Sequence, residues 1–177
     1  PAPIQLVNQQ TVGASLGADS LQKTIFAALI GTLLVIVFMI GYYRFYGVVA
    51  SAALIMYIAL TLAIYKLLGV TMTLAGIAGF VLSIGMAVDA NILIFERRKE
   101  EVKKGASSII ALEEGFRRAW PSIRDSNITT MIMAIVLYYF TTSFVKGFAL
   151  TLFLGVLMSM FSAITITRTM LRVSVKE

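Results

Sequence analysis

The stretch LLGVTMTLAGIAGFVLSIGMAVDANILIF, residues 67–95, is apolar almost throughout and carries one charge, that of Asp89. A helix needs about 20 apolar residues to cross a bilayer, so this stretch is long enough to span one. Gly69, followed by Val70 and Thr71, predicts a loop over residues 67–72. The helix is therefore predicted from about Thr73 to Phe95, with a carboxyl group inside it.

Four more apolar stretches accompany this helix along the chain. Of the 177 residues, 59% are hydrophobic and 14% are charged, and the mean hydropathy is +0.89. A soluble domain is roughly 45–50% apolar and about 25% charged, so a soluble fold is excluded. We predict an all-α, polytopic membrane bundle over residues 23–177. Its five transmembrane helices are expected at about residues 24–43, 45–65, 73–95, 126–145 and 148–167.

The first 22 residues differ from the rest, because they lack a basic residue and an apolar core of the kind found in signal peptides. Ile4 and Leu6 alternate with polar neighbours, which is typical of a β-strand. A lone strand cannot satisfy its own backbone hydrogen bonds. We therefore expect residues 1–22 to be the end of an external domain and a linker, and the chain to be a fragment of a longer protein.

The basic residues indicate how the bundle is oriented. Twelve of the 15 Lys and Arg residues fall on one side of the predicted spans. They are Arg44, seven residues within 96–122, Arg124 and three residues in the C-terminal tail. Cytoplasmic loops of membrane proteins carry such an excess. The N-terminus is predicted outside, and residues 96–122 and the C-terminus in the cytoplasm. This placement explains the net charge of +6 without a nucleic-acid partner.

Residues 96–122 are predicted to hold a short amphipathic helix in the cytoplasmic membrane interface, ended by Pro121. Its charges predict the i,i+4 pairs Glu113–Arg117 and Glu114–Arg118. A contact with a cytoplasmic partner and a plain connector on the membrane surface both remain open. The apolar residues at helical spacing are Ile109, Leu112, Phe116 and Trp120.

The absence of two residue types excludes several kinds of catalytic and metal-binding site. The sequence has no Cys and no His. Thiolate nucleophiles, Ser-His and Cys-His dyads and His- or Cys-ligated metals are therefore excluded. We expect no metal and no cofactor, and an enzyme is the least favoured class of protein.

Asp89 is the main candidate for function. It precedes Glu96 by seven residues, which is about 10 Å along a helix and roughly one third of the way into the hydrocarbon. A charged Asp near a helix centre costs about 2.5–3.5 kcal/mol on insertion scales, and such residues are functional by default. A carboxyl group in this position can take up a proton from one side and release it to the other. The alternative is a protonated Asp making one structural hydrogen bond.

Helical geometry predicts which residues accompany Asp89. Leu82 and Gly85 share its face, and Gly85 leaves space beside the carboxyl group. Asn91 points about 160° away, so the two cannot line one wall. Asn91 remains a candidate supporting polar group elsewhere in the bundle.

The fourth span opens with polar residues that come to a depth near that of Asp89. Asn127, Thr129 and Thr130 are candidates to hydrogen-bond Asp89 or to hold water. The alternative is that Asp125 and Ser126 cap a helix that starts there. Arg168 follows the last apolar turn, where snorkelling to the surface is favoured over a counter-ion role.

Small residues recur every four positions in two predicted helices. One ladder includes Gly79 and Ser83, and the other includes Gly155, Ser159 and Ala163. Gly85 is a further small residue that is expected to pack between helices. Such ladders let helices approach closely in lipid. We predict that the two ladders face each other, either as a sliding or rocking interface or as static packing.

Several stretches resemble one family of bacterial membrane proteins, the SecD family, which assists the Sec protein-export channel. The match covers essentially the whole chain, and three separate motifs in order make it specific. The sister subunit SecF shares the architecture, but its fourth-helix motif differs from AVDAN. The stretches are AVDANILIFERRKEE (Ala87–Glu101), RDSNITT (Arg124–Thr130) and KGFALTLFLGVLMSMFSAITITR (Lys146–Arg168), with TVGASLGADSL (Thr11–Leu21) before them.

The resemblance implies a six-helix half of the resistance-nodulation-division type, of which these five spans are the second to the sixth. It implies a bacterial inner-membrane location and proton-driven assistance of export, with Asp89 as the proton-relay residue and protons as the coupling ion. The implied partners are a SecF-type sister subunit, the SecYEG channel, the insertase YidC, preprotein and membrane lipids. The alternatives are a passive structural subunit of the Sec complex and a fragment of another exporter of that superfamily.

Overall fold

The computed structural model describes residues 14–141 and 143–174. This part of the chain forms α1 (Ala14–Tyr43), α2 (Phe45–Leu67), α3 (Leu74–Lys103), α4 (Ser108–Phe140) and α5 (Ser143–Phe161). A π-helical turn (Ser162–Thr167) and α6 (Arg168–Ser174) continue α5. The all-helical bundle is confirmed. The strand predicted around Ile4 and Leu6 lies outside the described residues.

Four segments are long and apolar enough to cross a membrane: Gly17–Tyr43, Phe45–Leu67, Leu74–Lys103 and Ser143–Val173. They include four of the five predicted spans. The fifth, at 126–145, is divided between the C-terminal part of α4, which ends at Phe140, and the start of α5. Charged and polar residues precede this part of α4, which packs against α3 and α5 within the same bundle.

Residues 96–122 are not a loop with a separate short helix, as predicted. Residues 96–103 prolong α3 and residues 108–122 begin α4, so that only residues 104–107 connect them. Pro121 lies exposed inside α4 and does not end it. The first part of α4 packs on α3: Leu112 is 2% exposed, and a Cβ at Gly115 would lie 3.0 Å from the Arg98 backbone nitrogen. Its location at the cytoplasmic membrane interface stays a prediction.

Ion pairs join this α3–α4 hairpin to the end of the chain, and they differ from the predicted pairs. Glu113 accepts hydrogen bonds from Arg168 at 2.7 Å and from Arg172 at 2.5 Å, rather than from Arg117. Arg118 pairs with Glu101 of α3 instead of Glu114. The predicted i,i+4 pairs are replaced because α3 and α6 bring partners from other helices within reach.

The turn between α1 and α2 is a single residue long. Arg44 alone separates the two helices, and it adopts a positive φ of 51°. A Cβ at Gly47 would collide with the backbone carbonyl of Met39, so only glycine permits this approach. The turn therefore places the tyrosines at 42, 43 and 46 beside the end of α3.

The two ladders of small residues face each other between α3 and α5. A Cβ at Gly79 would lie 2.6 Å from the Phe148 carbonyl oxygen, and one at Gly155 would collide with Ser83. Ser159 and Ala163 are 1% and 3% exposed. Contact between backbones strengthens dispersion and excludes lipid, which is how small residues hold helices together in a membrane.

Tyrosine hydroxyl groups of α2 form hydrogen bonds to α3 and α5. The Tyr57 hydroxyl lies 2.8 Å from Ser83 Oγ and 3.2 Å from the Gly155 carbonyl oxygen. The Tyr65 hydroxyl donates to the Thr151 carbonyl at 2.7 Å. Both tyrosines are buried, so each phenol needs such a partner.

Candidate intramembrane carboxyl site

Asp89 lies on a face of α3 that the rest of the described residues leaves uncovered. Leu82 is 47% exposed, and Gly85 and Asp89 are also exposed. A Cβ at Gly85 would meet nothing within 4 Å, so the predicted packing role of Gly85 is not seen within the described part of the chain. Gly85 leaves open space one turn from the carboxyl group.

A cleft of about 210 Å³ between α3 and α4 begins at this carboxyl group. Asp89 lines one wall, and Ser126, Asn127 and Thr130 line the other. Asn127 is 6% exposed and anchored in the bundle. The cleft has room for several water molecules, each of which needs two to four polar partners.

Two neighbouring threonines of α4 differ in whether they line the cleft. Thr130 Oγ1 donates to the Ser126 carbonyl at 3.1 Å, and its side chain lines the cleft. Thr129 Oγ1 donates to the Asp125 carbonyl at 2.8 Å and lies outside the cleft. Since α4 is continuous here, the alternative in which Asp125 and Ser126 cap a helix start is wrong.

The other candidate polar groups lie away from Asp89. Asn91 is 4% exposed and faces the interior, where its amide donates to the Ala87 carbonyl at 3.4 Å. Arg168 is a counter-ion of Glu113 at the end of the bundle and packs over the Phe116 ring, with 5.6 Å between the guanidinium carbon and the ring centroid. Its partner is therefore not Asp89.

The Asp89 carboxyl group has no hydrogen-bond or ion-pair partner among the described residues. The same residues contain no cluster of three acidic, His or Cys side chains that could hold a metal ion. An unpaired carboxyl group beside polar side chains in an open cleft is a candidate for exchanging a proton with water.

The sequence reasoning missed the buried tyrosines of α2. Tyr57, Thr61 and Tyr65 recur at i,i+4 and are all at most 2% exposed. Their spacing marks one polar stripe on an otherwise apolar helix, and this signal was present in the sequence.

Comparison with known proteins agrees with this architecture. The model of the family described as protein export membrane protein SecD/SecF, C-terminal, matches residues 2–177. The chain belongs to this family. It is 53% identical to the protein translocase subunit SecD of Synechocystis sp. over 99% of its length, and 54% identical to that of Thermobaculum terrenum over 97%.

Solved structures show the same fold. The crystal structure of SecDF, a translocon-associated membrane protein from Thermus thermophilus, matches 91% of this chain with a TM-score of 0.88 and 43% identity. The super-membrane-facing form of SecDF matches 89% with a TM-score of 0.84. This chain covers 22% of each of those chains.

The chain spans 37% and 34% of the length of the two SecD relatives. Family membership and the four apolar helices establish a multi-pass membrane protein. The matches to SecD also speak against the alternative of a fragment from another exporter.

Proposed function

We propose that this chain is the membrane part of a SecD-type subunit of the Sec translocase, and that it uses the proton-motive force to assist protein export. Asp89 is the intramembrane proton-relay residue. Protons are the coupling ion, and no other cofactor is needed. The subunit is a transport component and not an enzyme.

One observation carries this proposal: the Asp89 carboxyl group lies unpaired in a cleft that it shares with polar side chains of α4, about 10 Å from the end of the apolar segment. A charge left there against lipid would cost about 2.5–3.5 kcal/mol. The cost falls if the group is protonated or if another polypeptide and water cover it. Asp89 is then protonated when it faces lipid and ionised when polypeptide and water cover it. Interconversion of these two states couples proton binding to a change in helix packing.

The exposed Asp89 face supports a partner within the membrane. A SecF-type sister subunit is the proposed occupant of this face, because it would shield the carboxyl group from lipid. The SecYEG channel, YidC and preprotein are the further proposed partners. The basic end of the bundle faces the cytoplasm of a bacterial cell and the N-terminus lies outside, as the excess of Lys and Arg predicts.

The test is an Asp89→Asn variant of the intact protein in inverted membrane vesicles. Asn keeps the size and the hydrogen-bonding capacity of Asp but cannot ionise. We expect normal assembly and loss of the export that depends on the proton gradient. Export equal to wild type under the same gradient would favour the passive structural subunit instead.

Two threonines of α4 provide a matched pair for the cleft. Thr130→Val removes a hydroxyl that lines the cleft, whereas Thr129→Val removes one that lies outside it. Both substitutions keep the side-chain volume and remove one local hydrogen bond to the backbone. We expect gradient-dependent export to fall in Thr130→Val only, and an equal effect in both variants would contradict a role for the cleft.

A further inference from the structure

The α1–α2 turn and the end of α3 form a cluster of aromatic and basic side chains, namely Tyr42, Tyr43, Arg44, Tyr46, Arg98 and Lys99. We call it the aromatic–basic cluster. The Lys99 ammonium lies 4.2 Å from the centroid of the Tyr42 ring and 4.6 Å from that of Tyr43. The Arg98 guanidinium lies 4.0 Å above the Tyr46 ring. The rings hold both cations in fixed positions before any ligand arrives.

The cluster carries more positive charge than its acidic neighbours neutralise. Glu96 accepts one hydrogen bond from Lys99 at 2.9 Å and another from the Tyr43 hydroxyl at 2.9 Å. Arg98 donates to the neutral Ser108 hydroxyl at 3.1 Å. Arg44 is exposed and has no carboxylate within ion-pair distance in the described part of the chain. Of the three cations, only Lys99 therefore pairs with a carboxylate among the described residues.

Exposed apolar side chains lie directly beside these charges. Phe38 stacks on Tyr42 with ring centroids 5.8 Å apart, and Phe38 is 54% exposed. Phe45 is 51% exposed on the other side of the turn. Tyrosine rings mark the level of the lipid headgroups in membrane proteins, so the charges lie at phosphate depth and the phenylalanines beside acyl chains.

We propose that the aromatic–basic cluster is a binding site for the phosphate headgroup of an anionic phospholipid, with Arg44 and Lys99 contacting the phosphate and Phe38 and Phe45 contacting an acyl chain. A phosphate is favoured over a carboxylate side chain of a partner, because the cations and the apolar surface occur together as they do in a lipid. The site lies at the turn between α1 and α2, beside the end of α3, and is distinct from the Asp89 cleft.

The site is tested by native mass spectrometry of the intact protein titrated with phosphatidylglycerol and, separately, with zwitterionic phosphatidylcholine, whose choline offsets the phosphate charge. Each basic residue near an anionic surface contributes a factor of about five in affinity. We expect Arg44→Gln to lower the affinity for phosphatidylglycerol about fivefold and the double variant Arg44→Gln, Lys99→Gln more than that. The affinity for phosphatidylcholine should fall by a smaller factor than that for phosphatidylglycerol in each variant.

Lys146→Gln is the matched control, because the Lys146 ammonium also lies near an aromatic ring, 5.7 Å from that of Tyr138, but at the other end of the bundle. It should bind phosphatidylglycerol as wild type does. The Arg44→Gln variant removes no ion pair or hydrogen bond, so it tests the site even if the double variant is unstable. The proposal is overturned if Arg44→Gln binds as wild type, if Lys146→Gln weakens binding equally, or if inorganic phosphate displaces the lipid.

Discussion

Replacing Gly79 with Ala probes the close contact between α3 and α5. The added Cβ would lie 2.5 Å from Thr151 Oγ1 and 2.6 Å from the Phe148 carbonyl oxygen. Cβ atoms in real proteins essentially never come within 3.0 Å of another atom in this way. Because the Phe148 oxygen belongs to the backbone, it cannot swing aside, and the two helices have to separate by about 0.5 Å.

The expected loss of stability follows from three contributions. Overpacking of this kind costs about 1–3 kcal/mol. Alanine recovers up to about 1 kcal/mol through its better helix propensity. Separation also lengthens the hydrogen bond from Tyr65 to Thr151, which contributes about 1 kcal/mol. We expect a net loss of about 1–3 kcal/mol in the free energy of unfolding, measured by thermal or denaturant unfolding in detergent.

Gly31→Ala in α1 is the control, because a Cβ at Gly31 would meet nothing within 4 Å. It should leave stability unchanged or raise it slightly. If Gly79→Ala proves as stable as Gly31→Ala, then α3 and α5 do not pack as closely as the structure shows.

Two further substitutions test contacts outside the ladders. Tyr65→Phe removes the hydrogen bond to the Thr151 carbonyl and should destabilise the bundle by about 1–2 kcal/mol in unfolding experiments. Hydrogen bonds from Arg172 and Arg168 lower the pKa of Glu113 from 4.5 to about 2. Its stabilising effect is therefore present above pH 4.5 and is lost as the pH falls towards 2. Because the Glu113 side chain is 37% exposed, solvent screening limits this effect to about 1 kcal/mol. Wild type should thus be more stable than Glu113→Gln at pH 7, and the difference should shrink as the pH falls from 4.5 towards 2. A difference that is as large at pH 2 as at pH 7 would contradict the ion pairs.

The sequence was sufficient to predict the all-helical fold and the four apolar helices, because each of these helices contains a long apolar run. It failed at Pro121, which usually ends a helix by removing one hydrogen bond and crowding the preceding turn. Here the buried side chains of Ile123 and Asn127 hold the next turns of α4 against the bundle. Packing between distant helices therefore outweighs a local preference that a sequence rule relies on.

The candidate site was predictable only in part, because the helical period is local to the sequence whereas packing between helices is not. The helical period separates Asp89 from Asn91, and the structure places one exposed and the other buried. Which hydroxyl of α4 lines the cleft depends on the rotation of α4 against α3. That rotation is set by tertiary packing, so nothing local distinguishes Thr130 from Thr129.

The proposed transfer of protons through the membrane by the Asp89 carboxyl group is tested most directly by proton influx into liposomes. The liposomes contain the intact protein together with its sister subunit, and influx is followed with a pH-sensitive dye inside the vesicles. We expect influx under an imposed gradient with wild type and influx at the level of protein-free liposomes with Asp89→Asn. Equal influx with the two proteins would contradict it.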